Sequence, residues 1–499
     1  MRRGVALARL CAMAGGAVAA GGPQTCEAAL QVFAAGGNGF DAVLAAGFAA
    51  CVCEPTLASL GGGGFLLARD AKGRALLCDF FANTPGLGGP AREPDAARGA
   101  HFWPVTVHFP GSQQDFNVGP AAAAVPGALR GLLHAHRRLG RIPLREVLAP
   151  AQQLAREGFV LSESQAYFLR LLRPIFTMRA EGRALFAPGG ALPEAGETLR
   201  NPALADFLVS LPEDGEREFY EGAIAARMTA ELGAEGGLLT QRDLAAFRAV
   251  ARAPLRQRYR GFELLGNPAP AFGGRLLAAT LRALEAAGAP ECPRSHALAL
   301  LQAMQQVAAQ RAQILQGAPG FSRGTTHVSV LDSEGAAASL TLSNGEGCGY
   351  FVPDTGVHLN NMMGEEDLHP GGFHAAAPGQ RVASMMSPSL LLRGGKTALV
   401  IGSAGSNRIA GALAQVLSQV VDFGRAVPDA VAHPRLHWDG RAVQVEPGLP
   451  ESVLDALRER APLNAWRSSD VYFGGVNAVA PGGHGAGDPR RGGCFRHTD

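Results

Sequence analysis

The sequence predicts an α+β protein, with helices gathered around antiparallel, hairpin-rich strands. Three observations carry that expectation. Apolar residues recur at i, i+3, i+4 through much of residues 125–320. Short alternating runs come in pairs joined by tight turns. Strands do not alternate with helices, as they would in a parallel βαβ series. With 499 residues, 47% apolar and 18% charged, the chain can build a large core and is not disordered. A net charge of +2 gives no electrostatic case for a nucleic-acid partner. The pairs Arg137-Arg138 and Arg490-Arg491 read as solvated surface. Neither a repeat nor a low-complexity linker divides the chain, so one continuous unit is expected.

Met1-Arg2-Arg3 precedes an apolar run that Arg9 interrupts, so the start does not read as a signal peptide, and a cytoplasmic protein is expected. No run is long enough to span a membrane. Residues 24–50 hold two Ala-rich helical stretches separated by Gly36-Gly37-Asn38-Gly39, with Asp41 able to cap the second. Residues 61–64 are all glycine and lead into a hairpin, FLLARD and RALLCDFF, turning at Lys72-Gly73. No Gly-Lys-Ser/Thr follows that run, so close backbone packing is expected there rather than phosphate binding. PGALRGLLHAHRRLG, LREVLAPAQQLAREGF and SHALALLQAMQQVAAQRAQIL read as amphipathic helices, while APLRQRYRGFELLGNPAPAFGG interrupts them with strand-like residues and a turn. At Gly324 the texture changes. TTHVSVLD and AAASLTLSN form a hairpin around Ser333-Glu334-Gly335. KTALVIGSAGSNRIAGALAQVLSQVV then reads as strand, turn and helix, and FGGVNAV as a short strand before a loop, GGHGAGDPRRGG.

Eight cysteines, at 11, 26, 51, 53, 78, 292, 348 and 494, show neither zinc nor disulfide spacing and read as free buried thiols. No metal or organic cofactor is expected.

The sharpest chemical feature is Gly324-Thr325-Thr326-His327, where a long helical region gives way to a strand. A threonine hydroxyl holds its proton at neutral pH and is a poor nucleophile. Making it a chain terminus lets its own α-amine, with a pKa of about 7.7–8, accept that proton. Exposing the amine requires cleavage between Gly324 and Thr325. Threonine is also simply a good strand residue. Gly402-Ser403-Ala404-Gly405-Ser406-Asn407-Arg408 lies between a strand and a helix, whose unpaired N–H groups suit an oxyanion, or merely a capped turn. Glu365, Glu366 and Asp367 form an acidic cluster, of a kind usually turned to solvent, that could also anchor an ammonium. Ser384 and Ser387 offer hydroxyls that bind a carboxylate or shape a turn.

Taken together, GAVAAGGP, AAGGNGFDAVLAAGFA, EPTLASLGGGGFLL, VPGALRGLLHAHRRLGRIPLREVLAPAQQLAREGF, LTQRDLAAF, YRGFELLGNPAPAFGG, TTHVSVLDSEG, TGVHLNNMM, VASMMSPSL, GSAGSNRI and FGGVNAV resemble the γ-glutamyltranspeptidase family over nearly the whole chain. The resemblance implies a four-layer αββα sandwich of the N-terminal nucleophile hydrolase type. It implies self-cleavage into a large chain, 1–324, and a small chain, 325–499, that stay associated. Thr325 then forms a γ-glutamyl ester, released by water or an acceptor amine, from a small-molecule γ-glutamyl amide such as glutathione. Ser343 falls where a second hydroxyl supports the nucleophile, and Asn344 beside a substrate-binding asparagine. Glu365 falls on the acid that holds the glutamyl ammonium, and Ala383 and Ser384 on a serine pair that binds its carboxylate. Gly405 and Ser406 take the place of two oxyanion-hole glycines. Phe81 stands where the family keeps an arginine clamp for the carboxylate, and Met362 where it keeps an amide or acid. The loop from Leu368 to Gly379 is short for a closing lid. These departures keep in play a cephalosporin-acylase-like amidase with another acyl specificity, or a silent binding homologue.

Overall fold

The computed structural model describes residues 15–89, 101–109, 112–315, 324–369 and 371–498. The apolar start, Met1 to Ala14, with Cys11, lies outside the described residues. Two antiparallel sheets stack at the centre. Their strands, in chain order, are β1 (Gly16–Ala20), β2 (Gly63–Arg69), β3 (Ala75–Phe80), β4 (Val250–Arg252), β5 (Leu255–Tyr259), β6 (Phe262–Gly266), β7 (Thr326–Asp332), β8 (Ala337–Ser343), β9 (Ser389–Arg393), β10 (Lys396–Ala404), β11 (Gly475–Ala480), β12 (His484–Ala486) and β13 (Cys494–His497). One sheet runs β13-β1-β7-β8-β2-β3-β4, the other β12-β11-β10-β9-β6-β5.

Helices cover both outer faces. α1 (Pro23–Ala34), α2 (Gly39–Cys53) and α3 (Ala128–Leu139) pack on the first sheet, with α4 (Leu144–Glu157) laid against α2 and α1; α5 (Gly273–Ala286), α6 (Pro293–Leu315) and α7 (Ile409–Val421) form the layer on the second. The pleat dictates the layering, because alternate side chains of one strand face opposite ways. Val18 and Ala20 of β1 join the core under α1–α4, while Ala17 and Ala19 join the core between the sheets. Leu399 and Ile401 of β10 join the core under α5–α7, and Val400 the one between the sheets. The result is the αββα sandwich.

Local chemistry explains how the chain enters this frame. α2 starts at Asn38, whose side chain accepts from the N–H groups of Phe40 and Asp41 while Asp41 reaches back to the Asn38 N–H. Asn38 is therefore the cap, and Asp41 its reciprocal partner. The glycine run is a packing device. A Cβ on Gly62 would sit 2.1 Å from the Ser343 carbonyl oxygen, and one on Gly64 2.5 Å from that of Thr341. That register, Gly63 against Ser343, brings β8 onto β2.

The structure corrects several expectations. β1 and β13 complete the first sheet although neither was expected as a strand; β1 lies in a short, small-residue stretch beside the apolar start. A hairpin, Trp103–Phe109 with Ser112–Val118, was likewise not anticipated. The tail read as loop contains β12 and a turn at Pro489–Arg491. Arg490 and Arg491 are buried, not solvated. Arg490 pairs with Glu446 at 2.5 Å and with Asp488 at 3.2 Å, beside an Arg435–Asp488 pair at 2.6 Å. Arg490 settles inside because two carboxylates meet it there, while Arg491 donates to the Val471 carbonyl at 3.1 Å. Of the described cysteines, Cys292 is exposed and the rest are buried. No helix among the described residues is long and apolar enough to cross a membrane.

Candidate active site

Thr325 sits at the entry of β7, the strand flanked by β1 and β8, and is 5% exposed. Register sets its neighbour. Thr326 pairs with Leu342 across the ladder, so Ser343, at the end of β8, comes beside Thr325. The Thr325 hydroxyl donates to Ser343 Oγ at 3.4 Å, and the Ser343 hydroxyl donates to the carbonyl oxygen of Gly324. Gly345 N–H donates to the same Ser343 oxygen at 3.0 Å. One serine thus bridges the attacking hydroxyl and the carbonyl it would attack. The Gly324 N–H donates to Glu346 Oε1 at 3.3 Å, which holds Gly324 from its amino side. Only glycine fits at 324, because a Cβ there would lie 1.7 Å from the Gly345 carbonyl oxygen.

Under this cluster the two residues after Thr325 are locked in opposite directions. The Thr326 hydroxyl, on the helix side, donates to Glu54, which also accepts from Thr25. Burial raises the Glu54 carboxyl above its usual range, against those two hydroxyl donors. His327 faces the second sheet. Its Nδ1 meets Thr341 Oγ1 at 2.8 Å and its Nε2 meets Ser329 Oγ at 3.0 Å. Burial pushes this ring down to about 3, so it is neutral in the physiological range. Asn477 Nδ2 donates to the His327 carbonyl at 2.7 Å, and Ser339 donates to the Ile401 carbonyl at 3.1 Å.

These cross-sheet bonds fix where the next elements fall. The His327 ring covers Gly402, and Ser339 lies over Ile401, so β10 runs counter to β7 and ends toward Thr325. Gly405 and Ser406 follow immediately, with φ of 121° and 49°, at the start of a short turn leading into α7. The Ser406 hydroxyl donates to Asp367 Oδ2 at 2.9 Å. Asp367 belongs to the same short turn as Glu365. A Cβ on Gly345 would lie 2.5 Å from Glu365 Oε1, so that carboxylate borders the Ser343 end of the site. Glu365 and Asp367 are buried and only Glu366 is exposed, which corrects the solvent-facing reading of this acidic cluster. Asn344, 1% exposed, has a side-chain oxygen without a hydrogen-bond partner among the described residues.

The structure therefore gathers Gly324, Thr325 and Ser343, with Asn344 next in the chain and Glu365 bordering Gly345, while Ser406, preceded by Gly405, connects to the turn of Glu365 through Asp367. Ser384 lies outside that set: its hydroxyl accepts from Met386 N–H at 3.2 Å, and its carbonyl accepts from Phe272 and Gly273. Ala383 is half-buried beside it. Phe81 stacks on Phe65 at 5.5 Å and shares one apolar cluster with Met362, Leu368, Val382 and Met386. The nearby Arg381 guanidinium is committed to Asp79 and to the carbonyls of Phe81 and Arg248. From His369 to Gly379 the described residues form turns only. Glu54, Glu346 and Asn361 were not singled out from the sequence. Glu54 meets Thr326 across 272 positions, a contact with no local signal, although Gly345-Glu346-Gly347 does mark a carboxylate held on a backbone-thin loop.

A four-layer αββα sandwich with a threonine at the entry of an inner strand defines the N-terminal nucleophile hydrolase fold. Comparison narrows the class. The Gamma-glutamyltranspeptidase family profile matches residues 25–323 and 317–496. The chain is 30% identical over 511 residues to an "Acylase ACY 1 proenzyme" of Pseudomonas sp. (strain V22), covering 93% of this chain and 89% of that protein. It is 29% identical over 544 residues to the "Glutathione hydrolase proenzyme" of Escherichia coli (strain K12), covering 95% and 90%. The crystal structure of cephalosporin acylase from Bacillus halodurans superposes with a TM-score of 0.81 at 25% identity, covering 99% of this chain and 97% of that one. The chain belongs to the γ-glutamyltranspeptidase family.

Proposed function

We propose that the protein is a self-processing amidohydrolase or acyltransferase whose nucleophile is Thr325, released as an amino terminus by cleavage after Gly324. The observation that carries this reading is the Ser343 bridge between the Thr325 hydroxyl and the Gly324 carbonyl oxygen. As Thr325 Oγ1 bonds to the Gly324 carbonyl carbon, its proton passes to Ser343 and the Ser343 proton to the carbonyl oxygen. Collapse of that adduct passes its hydroxyl proton to the Thr325 nitrogen, breaks the C–N bond and leaves an ester with a free Thr325 amine. Water then hydrolyses the ester. The amine next acts as base for attack on an external amide. Backbone N–H groups of Gly405 and Ser406, at the same end of the sandwich, are assigned to the developing oxyanion.

The products, 1–324 and 325–499, would remain one body. The first sheet interleaves β1, β2, β3 and β4 with β7, β8 and β13, and the second pairs β6 with β9. Separating them would strip ladder hydrogen bonds along β1–β7, β8–β2 and β6–β9.

For the acyl group, retained Glu365 supports an amine-bearing, γ-glutamyl-like amide, held by a charge-assisted bond to the ammonium. A second reading, an acylase that ignores the α-carboxylate, is favoured by one observation: buried Phe81 offers no donor where a guanidinium clamp would stand. Three anilides separate the readings. γ-Glutamyl anilide carries both charges, 4-aminobutanoyl anilide only the amine, and glutaryl anilide only the carboxylate. A preference for the γ-glutamyl compound by about 100-fold, the scale of a lost buried ion contact, supports strict glutamyl recognition. Near-equal kcat/KM for the first two, with glutaryl far behind, supports amine-only recognition. Fastest turnover of glutaryl anilide contradicts the role given to Glu365.

A further inference from the structure

The loop beside the scissile peptide alternates glycine with other residues and so has few side chains of its own. Gly345, Gly347 and Gly349 take φ of 59°, 85° and 83°, left-handed values that glycine alone adopts freely. Such a loop stays in place only if other elements accept its N–H groups. Ser343 accepts from Gly345, and Asn361 Oδ1 accepts from Glu346 at 2.9 Å and Gly347 at 3.2 Å. The last acceptor is a residue that plays no part in the chemistry above. His358 Nε2 accepts from Gly349 N–H at 3.1 Å.

His358 is 4% exposed and tightly clasped. Its ring stacks on Phe351 with centroids 4.3 Å apart, and Phe176 meets it edge-on at 4.9 Å. Gly347 lies flat on the ring; a Cβ there would come within 1.9 Å of Cε1. Because an N–H donates to Nε2, that nitrogen is the bare one and the proton resides on Nδ1. Nδ1 has no hydrogen-bond partner among the described residues, and His358 lines a cavity of about 20 Å³ with Phe176, Phe186 and Phe351, room for one water. Burial pushes the ring down to about 3, so it remains an acceptor throughout the neutral range.

We infer that His358 is a positioning residue for the nucleophile: by holding Gly349 it anchors the glycine loop that sets Gly345 and Glu346 against Gly324. This rests on the reading of Thr325 as the self-processing nucleophile. Among the described residues only Nε2 of the ring has a hydrogen-bond partner, so an acceptor placed there suffices. His358→Phe keeps the ring and its stacking but offers no acceptor, and His358→Gln carries an amide oxygen to the same place. The expected result is cleavage after Gly324 slowed about tenfold or more in H358F, the cost of one orphaned buried donor. In mature H358F, kcat for γ-glutamyl anilide falls while KM stays within about twofold, and H358Q recovers both to within about threefold. Wild-type cleavage rates in H358F, or equal loss in both variants tracking a lower melting temperature, would overturn the inference. Amide exchange at Gly349 reads it independently of cleavage. Exchange about tenfold faster in H358F, restored in H358Q, supports the role. Unchanged protection in H358F refutes it, whatever becomes of Thr325.

Discussion

The two faces of β7 and β8 are built on opposite principles. Toward the helices they present Val328, Val330, Ala338, Leu340 and Leu342, all part of one apolar core. Toward the second sheet they present, besides Leu331 and Ala337, the polar set His327, Ser329, Ser339 and Thr341, all buried and all hydrogen-bonded. Apolar burial is strong but non-directional, so the outer face holds the sheet together without fixing it to tenths of an ångström. Hydrogen bonds across the sheet–sheet gap are directional. They tie β7 to β11 and β8 to β10, and so set Thr325 relative to Gly405 and Ser406. Stability is concentrated on one face of the strand and aim on the other.

That division can be broken in graded ways. Leu340→Ala removes the buried side chain that Gly47 packs against and should cost about 2–5 kcal/mol in urea unfolding. Cleavage after Gly324 should keep its wild-type rate while the protein remains folded; a slowed rate there would merge the two roles. His327→Leu leaves the Thr341 and Ser329 hydroxyls without their ring partner. It should cost less, about 1–3 kcal/mol, yet slow cleavage, because the register of β7 against β10 loosens. A normal cleavage rate would remove the aiming role from this face.

Acid sharpens the same contrast. The unfolded chain takes up a proton on His327 near its ordinary pKa of about 6.5, whereas burial holds the folded ring down to about 3. This histidine's contribution is therefore fully present above pH about 6.5 and is lost as pH falls toward 3, by about 1.4 kcal/mol per pH unit. His296, His358 and His369 are depressed in the same direction, so wild type alone does not isolate it. The stability gap between wild type and H327L should narrow as pH drops from 6.5 to 5. A constant gap would place the ring in contact with solvent. The smallest effect is expected for Ser406→Ala, which gives up one hydrogen bond to Asp367, about 1 kcal/mol, and keeps the backbone N–H assigned to the oxyanion. Its kcat should fall no more than severalfold.

Legibility in the sequence followed the same physical line. The pairs β2–β3 and β7–β8, the strand–turn–helix of β10 and α7, and the helices between 125 and 320 were readable because periodicity reports which side of an element is buried. β1, with only Gly and small apolar residues over Gly16–Ala20, has no alternation to read, since both of its faces are covered. β13 ends the chain at the sheet edge and pairs with β1 across more than 470 positions. Gly324, Thr325 and Ser343 were legible through motif and resemblance. Glu54 and Glu346 were not, because their significance lies in which hydroxyl or N–H they meet, and those partners are set by the stacking of sheets. The reading of Arg490 and Arg491 failed for a related reason: the carboxylate of Glu446 that draws Arg490 inward lies 44 positions away.

The central claim is that breaking the backbone at one bond creates the catalytic base. Intact-mass measurement of freshly purified wild-type protein, with amino-terminal sequencing of the smaller species, tests it most directly. The account predicts two masses, corresponding to a break between residues 324 and 325, a smaller chain beginning Thr-Thr-His, and a single uncut, inactive species for Thr325→Ala. A wild-type protein that hydrolyses amides while Gly324 and Thr325 remain joined would contradict it.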